Sequence, residues 1–314
     1  MGHLGVPFSD DVHAYGVIPV PIAVLQGARG PTVMLADAVH GDEYEGQIAL
    51  RRLLHTVGPD QLTGRLIVLP ALNLPSVRAA RRTSPVDGMN MNRAFPGNRD
   101  GGPTAQLADY VEHTLLPLCD AAIDLHSGGK AAEYLPCAYA YAGGPHAAGK
   151  AAMTAAFGAP LTIMVGKTAE TRSLSAACER QGVPMIATEL GGGGFVTQAS
   201  LAAATQGVAG VLRYLGVLPR LPGDALRGTR TVHVPGPEHT VMCPASGLFE
   251  PLAWLGDTVD AGARAGWLHD IDDPSQPPRE LRFAASGLVV ARRVPPLALR
   301  GDTLFTTARE MDPL

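Results

Sequence analysis

His40-Gly41-Asp42-Glu43 sets an imidazole and a carboxylate three residues apart where an apolar run gives way to a helical pattern. At such a strand–helix junction both side chains reach one cation from the same side, and nitrogen and oxygen donors of this kind suit zinc. A second imidazole closes another apolar run in Asp124-Leu125-His126-Ser127-Gly128. Taken alone, His126 reads more readily as a strand cap bonded to backbone than as a ligand. With His40 and Glu43 it makes a His2Glu set, which leaves a fourth zinc position open to water. An open position lowers that water's pKa to ~7, giving a nucleophile at neutral pH.

A further apolar run ends in Thr188-Glu189 before the glycines 191–194. A carboxylate there is costly without a partner or a task, and the glycines let backbone approach a ligand closely. Glu189 is therefore assigned as general base to the water and then as proton donor to a leaving amine. The plainer alternative is a structural pair with an arginine. Between these runs lie Arg81-Arg82 and Asn90-Met91-Asn92-Arg93-Ala94-Phe95-Pro96-Gly97. Guanidinium forks bind carboxylates in bidentate fashion. An Asn-Arg pair beside zinc would hold a substrate α-carboxylate, and a second arginine would steady an oxyanion; singly, each arginine reads as surface charge.

Strand-length apolar runs over Pro31–His40, Gly64–Asn73, Ala121–His126, Leu161–Gly166 and Val183–Leu190 suit strands covered on both faces. Helical patterns fill the gaps at Glu45–Val57, Thr104–Leu116, Ala147–Phe157, Ser173–Gln181 and Leu201–Leu215. The alternation predicts an α/β fold with a mixed, mostly parallel sheet flanked by helices. The chemistry-bearing residues fall where such sheets bind ligands, beyond the carboxyl ends of strands. After Leu215 a Pro/Gly-rich stretch leads into short β runs, so the expected division is a hydrolase domain over 1–220 and a smaller all-β C-terminal domain over 221–314. Within the latter, Ser246-Gly247-Leu248 followed by Gly256-Asp257-Thr258 is echoed by Ser286-Gly287-Leu288 followed by Gly301-Asp302-Thr303. The echo suggests two related β halves, similar to lipoyl-like half-barrels. No lysine follows Lys167, which argues against a lipoyl or biotin carrier.

With 314 residues, the chain can bury a large core without staples. Its 46% hydrophobic content excludes disorder as the main state. A net charge of -4 with no basic block argues against nucleic acid and anionic membranes as partners. No apolar run reaches the ~18 residues of a membrane span, and Met1–Asp11 has no signal-peptide pattern. Four dispersed cysteines, Cys119, Cys137, Cys178 and Cys243, fit free thiols in a reducing cytoplasm. Composition leaves a homo-oligomer open.

The set His40-x-x-Glu43, Asn92-Arg93-x-Phe95-Pro96-Gly97, Asp124-x-His126-Ser127-Gly128 and Glu189-x-Gly191-Gly192 resembles the succinylglutamate desuccinylase/aspartoacylase family, of the zinc carboxypeptidase-like fold. The resemblance spans roughly Val17 to Leu215, with a β-rich region of fitting size after it. It implies one zinc per chain on His40, Glu43 and His126, Glu189 as base, and Asn92 with Arg93 on a substrate carboxylate. An oxyanion arginine is implied too and is placed at Arg82, with Arg81 as the alternative. Two features depart from the family pattern. Its usual D-L-N-R reads Asn90-Met91-Asn92-Arg93 here, and the stretch from Arg82 to Asn92 is longer than in aspartoacylase. Thr83–Gly88 and the glycines 191–194 look closer to the branch that deacetylates N-acetyl-diaminobutyrate in ectoine breakdown. The activity so implied is zinc-dependent hydrolysis of an N-acyl amino acid, favoured as N-acetyl-L-2,4-diaminobutyrate. The rivals are a peptidase of the carboxypeptidase type, an aspartoacylase or succinylglutamate desuccinylase, and a non-catalytic binding module that has lost its metal.

Overall fold

The computed structural model describes residues 1–141, 143–144, 146–166, 170–219 and 228–311. It opens with a hairpin absent from the sequence reading. Strands β1 (Gly2–Phe8) and β2 (Gly16–Gln26) pair antiparallel, Leu4 opposite Val20. Pro19 and Pro21 disguise β2, because proline cannot donate to a ladder. They are tolerated because the strand on its other side pairs only with Ala23–Gln26, leaving the proline stretch an edge there.

All five predicted runs form strands. They are β3 (Ala28–Asp37), β4 (Thr63–Leu69), β5 (Ala121–Leu125) and, after the short β6 (Ala132–Tyr134) and β7 (Cys137–Tyr141), β8 (Leu161–Val165) and β9 (Met185–Glu189). The predicted helices appear as α1 (Glu45–Thr56), α3 (Pro103–Tyr110), α4 (Ala147–Phe157), α5 (Leu174–Arg180) and α6 (Gln198–Tyr214), with a short α2 (Leu74–Arg78) between β4 and α3. Boundaries moved where local chemistry overrode periodicity. β3 stops at Asp37 because Ala38 takes φ 60, outside the pleat. β4 ends before Asn73, whose side chain caps α2 by accepting from the Ser76 N–H. The helix expected through Leu116 widens into a π turn over Val111–Leu115, then tightens over Leu116–Leu118, where Pro117 has no N–H to give. α6 starts three residues early, because the Thr197 hydroxyl caps it by accepting from the Ser200 N–H at 2.9 Å.

β3 pairs in parallel with β4 and β5, and β5 with β9; β7 then joins antiparallel to β9 and parallel to β8. Val33, Met34, Leu35 and Ala36 are fully buried in succession, as expected for a strand covered on both faces. Leu35, Ile123 and Ile186 pack under α1, α4 and α6 on one face. Met34, Ala122 and Met185 face α3 and α5 on the other. The fold is thus the anticipated α/β class.

The expected boundary near residue 220 falls outside the described residues. Beyond it come β10 (Arg230–His233), β11 (Thr240–Met242), β12 (Gly247–Pro251), β13 (Thr258–Val259), β14 (Arg264–His269), β15 (Arg279–Arg282), β16 (Gly287–Arg293), β17 (Leu297–Ala298) and β18 (Thr303–Glu310). β15-β14-β12-β17 make a separate antiparallel sheet. Phe249, Phe283 and Phe305 fill the core that this sheet shares with β16 and β18. β10 continues the main sheet, parallel to β8 and antiparallel to β18. The sequence echo has a structural counterpart. At Gly256-Asp257 and at Gly301-Asp302 a glycine with φ near 90° (89° and 93°) precedes an aspartate that accepts from the N–H three residues upstream, at 2.8 and 2.7 Å.

Candidate metal centre and catalytic site

Three parallel strands end side by side at the site. Asp37 lies opposite Leu125, and Asp124 opposite Ala187. Within three residues of these points the chain presents His40, His126 and Glu189. The Leu190 N–H donates to the His126 carbonyl at 2.9 Å and ties the last two together. The left-handed turn at Ala38 swings His40 off the end of β3. The departing loop is anchored by Asn73 N–H to the Ala38 carbonyl and by Gly41 N–H to the Arg81 carbonyl, both 2.9 Å. Helix α1 then starts at Glu45 and brings Glu43 back toward the strand ends.

His40, Glu43 and His126 are buried and converge, their donor atoms all within 4.8 Å of one another. Glu43 Oε1 lies 2.7 Å from His40 Nδ1, and Oε2 lies 2.8 Å from His126 Nδ1. The far nitrogen of each ring is engaged as well. His126 Nε2 meets Asp124 Oδ2 at 2.8 Å, and His40 Nε2 meets Asn90 Oδ1 at 3.1 Å. Asn90 Oδ1 also accepts from the Asn92 N–H at 2.9 Å, which fixes it as an oxygen acceptor. His40 Nε2 therefore carries a ring proton, each ring turns its Nδ1 to a Glu43 oxygen, and His126 lies between two carboxylates. Contacts this short demand a positive centre between nitrogen and carboxylate, and in the metal-free protein a proton supplies it. A divalent cation bound by two imidazoles and one carboxylate meets that demand, with both rings oriented from behind as zinc-bound histidines usually are.

The electrostatics agree. Burial alone would raise Glu43, but the facing imidazoles, His126 above all, hold its carboxyl at about 2. Burial alone would lower His126, yet Asp124 and Glu43 push it well above its usual value. Glu189 is half-buried, with Oε2 enclosed and without a hydrogen-bond partner. Burial first, and then the Glu43 charge, push it up to about 8. A carboxyl so raised beside a cation site has the environment of a proton-transfer group.

Of the two candidate arginines, the structure brings Arg82 to the cluster. Its Nη1 donates to His40 Nδ1 at 3.3 Å and lies 3.5 Å from Glu43 Oε1, although the side chain is 53% exposed. Arg81 contributes its carbonyl to Gly41, and its side chain is exposed. Asn92 and Arg93 sit one turn away and are engaged elsewhere. Asn92 Oδ1 accepts from the Leu174 N–H at 3.0 Å, while Arg93 pairs with Glu170 at 2.9 Å. The other conspicuous histidine of the interior, His239, is a core residue bonded to Thr307.

Sequence reasoning assigned no role to Asn90, Asp124 or Tyr134. Asp124 had a readable signal, since residues i and i+2 of a strand share a face. Asn90 lies in an irregular loop and had none. Tyr134 stands near Glu189: that carboxylate, then burial, raise its hydroxyl well above the usual range.

Residues 29–215 match the succinylglutamate desuccinylase/aspartoacylase catalytic domain. The chain belongs to this family. The N-alpha-acetyl-L-2,4-diaminobutyric acid deacetylase of Halomonas elongata is 36% identical over the whole of this chain and 92% of its own length. The product-bound ectoine utilization protein EutE (DoeB) of Ruegeria pomeroyi superposes with a TM-score of 0.94 at 38% identity, covering 98% of this chain and 94% of that one. The succinylglutamate desuccinylase/aspartoacylase of Rhodobacter sphaeroides gives 0.93 at 34% identity, with 99% and 94% covered. Both solved structures extend through the β-rich C-terminal region as well as the catalytic domain that the family model describes.

Proposed function

We propose that this family member is a zinc-dependent deacylase that hydrolyses N-acetyl-L-2,4-diaminobutyrate to diaminobutyrate and acetate. The observation that carries the reading is the His40–Glu43–His126 cluster, its acceptor atoms turned on one point, with Glu189 at the adjoining strand end. Full-length similarity to a deacetylase of that substrate supports the choice of acyl amino acid. Zinc, held by His40, Glu43 and His126, would supply Lewis acidity toward the acyl carbonyl and acidify a water. Glu189 takes the proton from the attacking water and delivers it to the departing amine nitrogen. The carbonyl oxygen gains negative charge as the water adds, and the Arg82 guanidinium, already aimed at the cluster, stabilises it. Asn92, its oxygen taken by Leu174, offers its NH2 to the substrate carboxylate, and Arg93 supplies a fork in exchange for Glu170. Holding the carboxylate at a fixed distance sets the scissile bond against the base.

Residues 1–220 form the hydrolase unit in this reading and 221–314 the accessory β unit. Four free thiols support a cytoplasmic setting, and no described helix is long and apolar enough to cross a membrane. The test is a zinc-supplied hydrolysis screen over N-acetyl, N-succinyl and N-formyl amino acids and a blocked dipeptide, with Glu189→Gln alongside. The expected result is turnover of N-acetyl-diaminobutyrate above the rest, with Glu189→Gln retaining about one zinc per chain but losing at least ~100-fold in kcat. Normal turnover by Glu189→Gln refutes the assigned base, and preference for the dipeptide refutes the deacylase.

A further inference from the structure

Strand β6 is bonded along both edges, and its two partners belong to different parts of the molecule. On one side lies the glycine loop that follows Glu189. Gly193 N–H donates to the Ala132 carbonyl at 2.9 Å, and Tyr134 N–H donates to the Gly191 carbonyl at 3.0 Å. On the other side lies β16 of the C-terminal region, with Arg292 opposite Glu133 and Ala291 opposite Tyr134. Leu135 N–H to the Val290 carbonyl (3.0 Å) and Val294 N–H to the Ala131 carbonyl (3.1 Å) extend that seam. The loop has other ties too: Gly128 N–H to the Gly191 carbonyl (3.1 Å), Gly194 N–H to the Gly129 carbonyl (2.8 Å), Gly192 N–H to Glu45 Oε1 (3.2 Å) and a bridge between Gly192 and Phe195, while Glu189 itself lies opposite Cys137 of β7.

One side-chain pair locks β6 to β16. Arg292 Nε and Nη2 both donate to Glu133 Oε2, at 2.9 and 2.7 Å, and the two side chains are only 16% and 18% exposed. Trp254 closes the outer face of the pair, with the guanidinium 4.4 Å over its ring. A cross-strand ion pair that is shielded in this way and stacked on an aromatic face fixes the relative position of its two strands.

We infer that the C-terminal sheet is part of the catalytic apparatus, and that Arg292 and Glu133 are positioning residues which hold Glu189 on its reaction path through β6. The inference rests on Glu189 being the base of the proposed reaction. Its chain of contacts is continuous: Arg292 fixes Glu133, β6 fixes the Gly191 carbonyl and the Gly193 N–H, and those bear on the strand end that carries Glu189. A displacement of about 1 Å at a base is enough to cost up to ~100-fold in rate, so a slack strap would be read in turnover before it was read in binding.

The experiment compares Arg292→Ala, Arg292→Lys and Glu133→Gln in the full-length, zinc-loaded protein. Arg264→Ala serves as control. Arg264 makes a chemically matched trio with Glu280 and Trp267 in the outer sheet, away from β6. Three readouts are taken: kcat and KM on N-acetyl-diaminobutyrate, zinc content, and amide exchange of peptides over residues 189–195. For Arg292→Ala the expected result is a kcat lowered about tenfold with KM within twofold and zinc unchanged. Exchange at Gly192 and Gly193 should accelerate about tenfold, while that of β12 and β14 stays put. Arg292→Lys should recover part of both effects, and Arg264→Ala should show neither. Unchanged kcat with unchanged loop exchange overturns the inference, as does acceleration spread evenly over the molecule, which would mean a general stability role. If the wild-type protein fails to deacylate this substrate, the proposed function fails; the exchange readout still decides whether Arg292 holds the loop.

Discussion

At the residue scale the site is defined by which atom of each side chain is engaged. The two rings offer Nδ1 to the common point only because Asp124 and Asn90 occupy Nε2. Asp124→Asn keeps the shape but halves the acceptor character behind His126. It is expected to weaken zinc binding about 10- to 100-fold, read by competition with a metal indicator; affinity equal to wild type would remove Asp124 from the centre. The pH behaviour follows from the same contacts. Glu189, pushed up to about 8 by burial and Glu43, and Asp37, raised by burial and Glu43, have folded-state values above their unfolded ones. His126 is raised as well, against its burial, by Asp124 and Glu43. Groups raised on folding stabilise below their unfolded pKa, and that stability is lost as pH rises through the folded value. Glu43 has the opposite sign: despite burial, the imidazoles hold it at about 2, so its contribution is present above its unfolded value and fades only as pH falls toward that point. The metal-free protein is therefore expected to lose stability between about pH 5 and pH 8. Zinc requires deprotonated ligands, so its affinity rises over the same range. Melts of chelated and zinc-replete protein should show a Tm gap that widens from about pH 6 to about pH 8; a gap that narrows would contradict the ligand set. The convergence of His40, Glu43 and His126 was legible in the sequence because His and Glu at the ends of apolar runs have few other reasons to be there. Asn90 was not, because its loop has no period and a neutral amide announces nothing.

At the scale of elements, strand interiors were readable and strand exits were not. Continuous burial leaves a compositional trace over Val33–Ala36, but the turn at Ala38 that releases His40 is enforced by tertiary contacts of its carbonyl and leaves no local mark. The β1–β2 hairpin was hidden by its prolines, and β6 by being three residues long. The glycine loop after β9 was legible as a close approach, and the structure shows of what. Gly191 sits at φ +133, and a Cβ there would lie 2.7 Å from Glu45 Oε1 and 3.1 Å from Ser200 Cβ. Gly191→Ala would strain the backbone by about 1–3 kcal/mol and push Glu45 off the Gly192 N–H. The expected outcome is a lowered Tm together with a loss of turnover larger than the loss of zinc, because the candidate metal ligands His40, Glu43 and His126 lie on other elements. Full activity with an unchanged melt would show that the loop relaxes at no cost.

At the scale of the whole molecule, the C-terminal strands share a core with the α/β sheet. Cys137, Leu161 and Ile163 from β7 and β8 pack with Val232, Leu288, Val290 and Ala308 from β10, β16 and β18 in one cluster. β10 extends the main sheet, and β16 grips β6. The composition shift after Leu215 marked where the β-rich region begins, but it said nothing of this shared cluster, because long-range pairing has no local signature. Two units joined through a common core and a continuous ladder should melt together. Leu288, 7% exposed, is a fair probe, since it lies in β16 but packs against β7 and β8 residues. Leu288→Ala should cost about 2–5 kcal/mol. In calorimetry of the zinc-replete protein the expected trace is a single transition for wild type and variant alike, displaced downward by several degrees in the variant. Two transitions, with only the lower one moved by Leu288→Ala, would mean that the β-rich region unfolds on its own and that its hold on the Glu189 loop can be lost while the hydrolase unit stays folded.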